Sequence, residues 1–199
     1  MFAESINDAI ALLETITNPS YNIMHTRGVL ELAANIASFY EADTEILETA
    51  CWWHDTGRVE EVKNPELLSA SLAFENLKLH GFDLGTCKRV HDIILFHTVP
   101  HIPKTIEGKI LGDANSLDFI SANRWQQCLD FKERGLLEDL RDRGLGVRMI
   151  PKMRNRLLVL EKSRQIFDQM LPKFLDFLSK SGDPEINSYY NSLINKPIL

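Results

Sequence analysis

His54 and Asp55 stand side by side after Cys51-Trp52-Trp53, near the end of an apolar stretch with helical spacing. Neighbouring helical residues point about 100° apart, so this imidazole and carboxylate can converge only on something lying between their directions. A bound cation is such an object. An adjacent His-Asp pair also arises by chance, so it gains meaning only from its context. His25 lies in Met24-His25-Thr26-Arg27, just before an apolar stripe, and Asp113 borders the core-facing stripe of Ile110, Leu111, Ala114 and Leu117. A carboxylate beside a core face is costly unless a neighbouring Arg or a metal answers it. His25, His54, Asp55 and Asp113 together make a mixed nitrogen and oxygen donor set. Such a set suits one Mn²⁺, Fe²⁺, Co²⁺, Ni²⁺ or Zn²⁺ ion, with Mg²⁺ also admissible, rather than a metal that demands thiolates. Donors of this number in an octahedral field leave positions for water and a substrate oxygen, as hydrolysis at a metal requires.

The elements that must position these residues are helices. Apolar residues recur with helical period nearly everywhere, and no run of strict alternation stands out. The spacing predicts a helix from about Phe2 to Ile16, a break at Asn18-Pro19-Ser20, and a second helix from near Tyr21 carrying His25. A third starts at Asp43 or Thr44, good N-cap residues with Glu45 and Glu48 early in the helix, and runs to the His54-Asp55 pair. Asn64-Pro65 reads as an N-cap followed by proline at the first helical position, and Gly81 closes that helix. Thr86 to His97 is expected as the next, stopped by Pro100 and Pro103, and Thr105 to Ala122 carries Asp113. Arg124 to Leu145 is helical with interruptions at Gly135 and Gly144. Pro151 to Lys180 reads as one helix kinked near Pro172. The expected fold is all-α, a single domain over 1–199 with seven to nine helices, a core at about 20–180 and a short C-terminal extension at 183–199.

Composition narrows the function. The 199 residues are 44% hydrophobic and 25% charged, an ordinary globular balance. A formal net charge of −6 argues against a nucleic-acid polymer as partner, although a cleft in an acidic protein can still be locally positive. No apolar run approaches the roughly 20 residues that span a bilayer. Cys51, Cys87 and Cys128 are too scattered for a thiolate zinc motif and odd in number for a disulfide framework. A reduced, cytoplasmic protein without a membrane is the economical expectation, with room for a homodimer.

The ordered set His…His-Asp…Asp, with helices between, resembles the HD-domain superfamily of metal-dependent phosphohydrolases. The resemblance rests on His25-Thr26-Arg27-Gly28-Val29, on Trp53-His54-Asp55-Thr56-Gly57-Arg58 and on Ser69-Ala70-Ser71-Leu72-Ala73 running on to Gly81-Phe82-Asp83. Ile110-Leu111-Gly112-Asp113-Ala114-Asn115-Ser116-Leu117-Asp118 is similar to the family's segment bearing the final Asp. It implies a helical HD-type bundle around a catalytic metal held by His25, His54, Asp55 and Asp113. It also implies cleavage of a phosphate ester or anhydride of a small molecule, a nucleotide among the candidates, by metal-activated water. One departure is informative: family members with two metals carry a histidine early in the helix after the HD pair, where this chain reads Asn64-Pro65-Glu66-Leu67-Leu68. One metal is therefore expected.

Around these ligands, Asp55, Arg58 and His97 are the candidate catalytic residues, and Arg58, His97 and His101 the candidate substrate contacts. Arg58 follows Asp55 by about one helical turn, and its guanidinium could hold a phosphate or pair with Glu60 or Glu61. His97 ends an apolar helix and could donate a proton or be a buried structural imidazole. His101 sits in a proline-flanked loop. Lys104 and Lys109 read as solvated, and His80 and His91 as helix-surface residues. Of Trp52 and Trp53, one ring is expected in the core and the other partly exposed, where Trp53 could stack on a base. The rival to an enzyme is a non-catalytic, metal-dependent nucleotide-binding sensor built on the same residues.

Overall fold

Capping side chains decide where most helices begin. The computed structural model describes residues 1–16, 18–58, 62–98, 101 and 103–194. Among them run α1 (Phe2–Leu13), α2 (Pro19–Ala37), α3 (Thr44–Trp53), α4 (Pro65–Leu79), α5 (Leu84–Leu95), α6 (Ile106–Asp118), α7 (Ala122–Glu133), α8 (Arg141–Lys152), α9 (Glu161–Lys180) and α10 (Pro184–Ile194), with no strand. Asp43 accepts from the Ile46 amide at 3.2 Å to open α3, and Asn64 from the Leu67 amide at 3.1 Å to open α4. Asp83 does the same for α5 through the Thr86 amide at 3.0 Å, so that helix starts two residues before the expected Thr86. Pro19 and Pro65 occupy first-turn positions, where their missing N–H costs no hydrogen bond. Gly81 closes α4 with φ +80°, a left-handed conformation that glycine adopts without steric cost. The expected boundary at Pro100 lies outside the described residues.

The chain divides into two compact units, residues 1–114 and 115–199, with the division inside α6. In the first unit α3 is the central helix, packed against α1, α2, α4 and α5, while α4 lies along α5. Ala50 and Cys51 of α3, Val29 and Ile36 of α2, and Val90 and Ile94 of α5 are fully buried. Trp52 and Trp53 are both buried, and the Trp53 indole donates to Ser5 Oγ at 3.1 Å. The expectation of one exposed ring and of base stacking by Trp53 is therefore corrected: α1, α2, α4 and α5 all pack on α3 and leave neither ring exposed.

The second unit packs α10 against α8 and α9, and α7 against α9. Trp125 and Phe174 meet in its core with ring centroids 5.5 Å apart. Arg143 and Asp118 form a fully buried ion pair at 2.8 Å, and Arg143 Nη1 also donates to the Asp118 carbonyl at 2.6 Å.

Ten α-helices are present among the described residues, one more than the expected upper count. Arg124–Leu145 splits into α7 and α8, separated after Gly135, whose φ is +70°. The expected single helix over Pro151–Lys180 is also corrected. α8 ends at Lys152, a π-helical turn spans Met153–Leu157, and Leu158 is extended with ψ 119°. Arg164 holds that break by donating to the Leu158 carbonyl through Nε at 3.2 Å and Nη2 at 3.0 Å. Pro172 then sits inside α9.

Candidate metal centre

His25 comes from the second turn of α2, and His54 and Asp55 from the residues just past the end of α3. Both helices belong to the first unit and pack on each other. His25, His54 and Asp55 each offer a ligand atom, and these atoms lie within 4.8 Å of one another. Asp55 Oδ2 is 3.4 Å from His54 Nε2 and 3.5 Å from His25 Nε2, with all three side chains buried. Metal bonds of about 2.1 Å at angles of 90–110° put neighbouring donor atoms about 3.0–3.4 Å apart, so this spacing fits a shared ion.

The protons on the donors are fixed by their neighbours. His54 Nδ1 lies 2.6 Å from the Cys51 carbonyl. A carbonyl only accepts, so Nδ1 carries the hydrogen and Nε2 keeps a lone pair. Burial lowers the His54 pKa from 6.5 to about 4, against the raising effect of Asp55, so the ring is neutral near pH 7. Burial pushes the Asp55 carboxyl up, but the Arg58 guanidinium and the surrounding imidazoles outweigh it and hold the group well below the usual carboxylate range. Arg58 Nε meets Asp55 Oδ1 at 2.9 Å. The second carboxylate oxygen, Oδ2, and His54 Nε2 are both buried with no hydrogen-bond partner among the described residues. Leaving two such atoms unsatisfied costs free energy in a folded protein unless something else completes them. A divalent cation completes both at once, and the donor set fits one.

The remaining candidates fall around this group. Asp113 is buried at 1% exposure on α6 but is not one of the three residues whose ligand atoms cluster. Arg58 is 39% exposed and engages Asp55, while Glu60 and Glu61, its alternative partners, lie outside the described residues. His97 is buried with its ring centroid 5.4 Å from that of His54, edge to face, and its Nδ1 lies 2.6 Å from the Ile94 carbonyl. Burial lowers its pKa, so near pH 7 its Nε2 is an acceptor. His101 is exposed, its ring centroid 5.3 Å from that of Phe96. Lys104 is exposed; Lys109 is only half-buried. His80 pairs with Asp8 at 2.8 Å and half-buried His91 with Asp92 at 2.9 Å.

Two glycines prove to be part of the site's framework. A Cβ on Gly57 would run into the Pro65 carbonyl and come within 2.6 Å of the Ser69 amide nitrogen. The turn after Asp55 is thus pressed against the first turn of α4, and the Gly57 amide donates to Ser69 Oγ at 2.8 Å. A Cβ on Gly112 would lie 2.5 Å from the His97 carbonyl oxygen, so α6 approaches the end of α5 next to Asp113. Both glycines stand beside ligand candidates in the sequence, which is the signal that could have marked them.

A helical fold with a buried histidine, histidine and aspartate donor cluster defines a class of protein built to hold a metal. The HD domain family profile matches residues 22–120, about half of the chain, which carries an HD domain. The uncharacterised protein YpgQ of Bacillus subtilis is 32% identical over 128 residues, which take in 60% of this chain and 61% of YpgQ's length. Among solved structures, a predicted HD superfamily hydrolase from an uncultured Thermotogales bacterium superposes with TM-score 0.66 at 23% identity, covering 89% of each chain. YpgQ in complex with ADP superposes with TM-score 0.62 at 21% identity, covering 94% of this chain and 98% of YpgQ. These structural likenesses concern the fold.

Proposed function

We propose that this chain is a metal-dependent phosphohydrolase that cleaves a phosphate ester or anhydride of a small molecule, with a nucleotide the first class to test. The observation that carries the reading is the pair of buried, unpartnered atoms, His54 Nε2 and Asp55 Oδ2, which lie 3.4 Å apart, with His25 Nε2 3.5 Å from the same Asp55 oxygen. His25, His54 and Asp55 would hold one divalent transition metal, with Asp113 as the fourth ligand. When bound, the metal supplies positive charge that activates water and neutralises a phosphoryl oxygen. The protein's own part is to present nitrogen donors, with His54 in its neutral form, and an ionised carboxylate. Arg58 keeps Asp55 ionised and, from its exposed side, steers an anionic substrate. His97 accepts a hydrogen bond at Nε2, and His101 contacts substrate at the rim. The ADP bound to YpgQ supports a nucleotide as ligand of this fold, and the same support extends to a sensor that binds without turnover.

Residues 1–199 are proposed to act as one HD-type domain, at work in the cytoplasm; among the described residues no helix is long and apolar enough to cross a membrane. The test joins metal analysis of unchelated protein to a phosphoester panel with added Mn²⁺, Co²⁺ or Ni²⁺. The expected result is bound metal, phosphate release from some substrates, and loss of both in His54→Ala and Asp55→Ala. At a hundredfold excess over Kd the metal should add about 2.7 kcal/mol of stability, visible as a rise in Tm. Variants that keep metal and activity would overturn the reading. Tight nucleotide binding without turnover under every metal would favour the sensor.

A further inference from the structure

A cavity in the first unit lies between α2 and α3, has a volume of about 460 Å³ and is lined by none of His25, His54 and Asp55. That size falls in the range of small-molecule sites, roughly 300–1,000 Å³. Its walls are small and apolar: Ala33, Ala34 and Ala37 from α2, and Leu47 and Cys51 from α3. The short side chains of α2 leave the space open, since each alanine withdraws the bulk a leucine would place there.

The charge that lines this cavity has one sign. Glu48 is the charged residue of the lining, it is exposed, and it has no salt-bridge partner among the described residues. Asp43, which caps α3, is already met by Arg89 at 3.2 Å. From residue 28 to residue 57 the sequence contains no Lys or Arg. Ser38 and Tyr40, which follow α2, line the same cavity; the last carbonyls of α2 accept from the Ser38, Phe39 and Tyr40 amides and from Ser38 Oγ, and its last turn holds no basic residue to offset the negative end of the helix. A helix C-terminus favours a cation, and an aromatic ring such as Tyr40 offers a cation a further attraction.

We infer that the α2–α3 cavity is a binding site for a small organic cation with an apolar body, the tail against the alanine wall and the head beside Glu48. The chemistry that recognises it is an apolar floor, one carboxylate, one aromatic ring and the negative end of a helix. The inference does not depend on hydrolysis at the metal centre.

The test is an NMR titration of the full chain with three probes of equal tail length: octylammonium, octanol and octanoate. Octylammonium should bind tightest and shift amides within residues 30–51, octanol should bind more weakly, and octanoate weakest. Glu48→Gln should bring octylammonium close to octanol, a loss of about two- to fivefold for a partly exposed ion pair. Ala34→Phe, placed on the exposed wall, should fill the cavity and abolish binding of all the probes while amide positions elsewhere stay unchanged. Should that variant not fold, the ranking of the probes and Glu48→Gln decide alone. Octanoate binding as well as octylammonium, shifts outside 30–51, or Glu48→Gln leaving the affinity unchanged each overturns the assignment.

Discussion

Replacing Gly112 by alanine sets two effects of opposite sign against each other. In a helix interior Gly→Ala ordinarily gains about 1 kcal/mol, because glycine loses more backbone entropy on folding. At this position the added Cβ would fall 2.5 Å from the His97 carbonyl oxygen and 3.5 Å from its carbon. An ordinary contact needs about 3.4 Å, so α6 and the end of α5 must separate by most of an ångström. The obstacle is backbone, and no rotamer change relieves it. Overpacking of this kind costs about 1–3 kcal/mol, occasionally more. The methyl and the strain together leave a net loss of about 1–2 kcal/mol if the cost falls toward the upper end. For a chain of this length that lowers Tm by about 2–8 °C. Circular dichroism melts of metal-free protein measure it directly. Metal affinity should fall as well, because Asp113 moves with the helix turn that is displaced. A Gly112→Ala protein that is stabilised by about 1 kcal/mol, with metal affinity intact, would falsify the close approach and the role given to Gly112.

Acid should weaken the metal-free protein through His54. Its folded pKa of about 4 lies below the unfolded 6.5, so the unfolded chain binds the extra proton; this contribution is complete above pH 6.5 and is lost as pH falls towards about 4. The gap corresponds to about 3 kcal/mol, and Tm measured against pH should fall less steeply in His54→Gln than in the parent; parallel curves would rule the assignment out. Removing the Arg58 guanidinium as Arg58→Ala should raise the Asp55 pKa, followed in metal-free protein by the chemical shift of the Asp55 carboxyl carbon against pH. An unmoved titration would show that Arg58 does not set the charge of Asp55. In the second unit, Asp118→Ala removes the carboxylate that meets Arg143 in a fully buried position and leaves that charge uncompensated by its counter-ion, and a loss of about 3–5 kcal/mol in urea denaturation is expected. A loss under about 1 kcal/mol would mean that water reaches the guanidinium.

The parts of the fold that the sequence made legible are those written in local chemistry. Asp43 and Asn64 were readable as caps because a short polar side chain before an apolar helix has few other uses. His25, His54 and Asp55 were readable as a group because imidazoles and a carboxylate at the edges of apolar stripes need a common partner. What escaped depends on side-chain contacts that the apolar period does not record, some of them between elements far apart in the chain. Arg164 ends the stretch before α9 by reaching back to the Leu158 carbonyl, and no feature of the apolar period announces that. Gly135 was visible as an interruption, but periodicity alone does not say that it separates two helices. Trp53 reads as amphipathic on paper; its burial is decided by Ser5 of α1, 48 positions away.

His54 and His97 share a device that bears on what the site can do. Each ring directs Nδ1 at the carbonyl three residues earlier, Cys51 in one case and Ile94 in the other, at 2.6 Å in both. A backbone carbonyl has no other protonation state, so the hydrogen stays on Nδ1 and each Nε2 is left as a lone pair in a buried space where the rings meet edge to face. For His54 that is the form a metal requires. For His97 it means that donating a proton, as expected from its position, first requires protonation against burial, whereas accepting one requires nothing. The same helix geometry that makes one imidazole a ligand therefore makes its neighbour an acceptor. If the site cleaves a phosphate as proposed, His97 in this form supplies no proton to the leaving oxygen. Replacing His97 by glutamine, which can both accept and donate, should retain more activity than replacing it by alanine if accepting is the role, and the two should fall together if only a protonated imidazole serves.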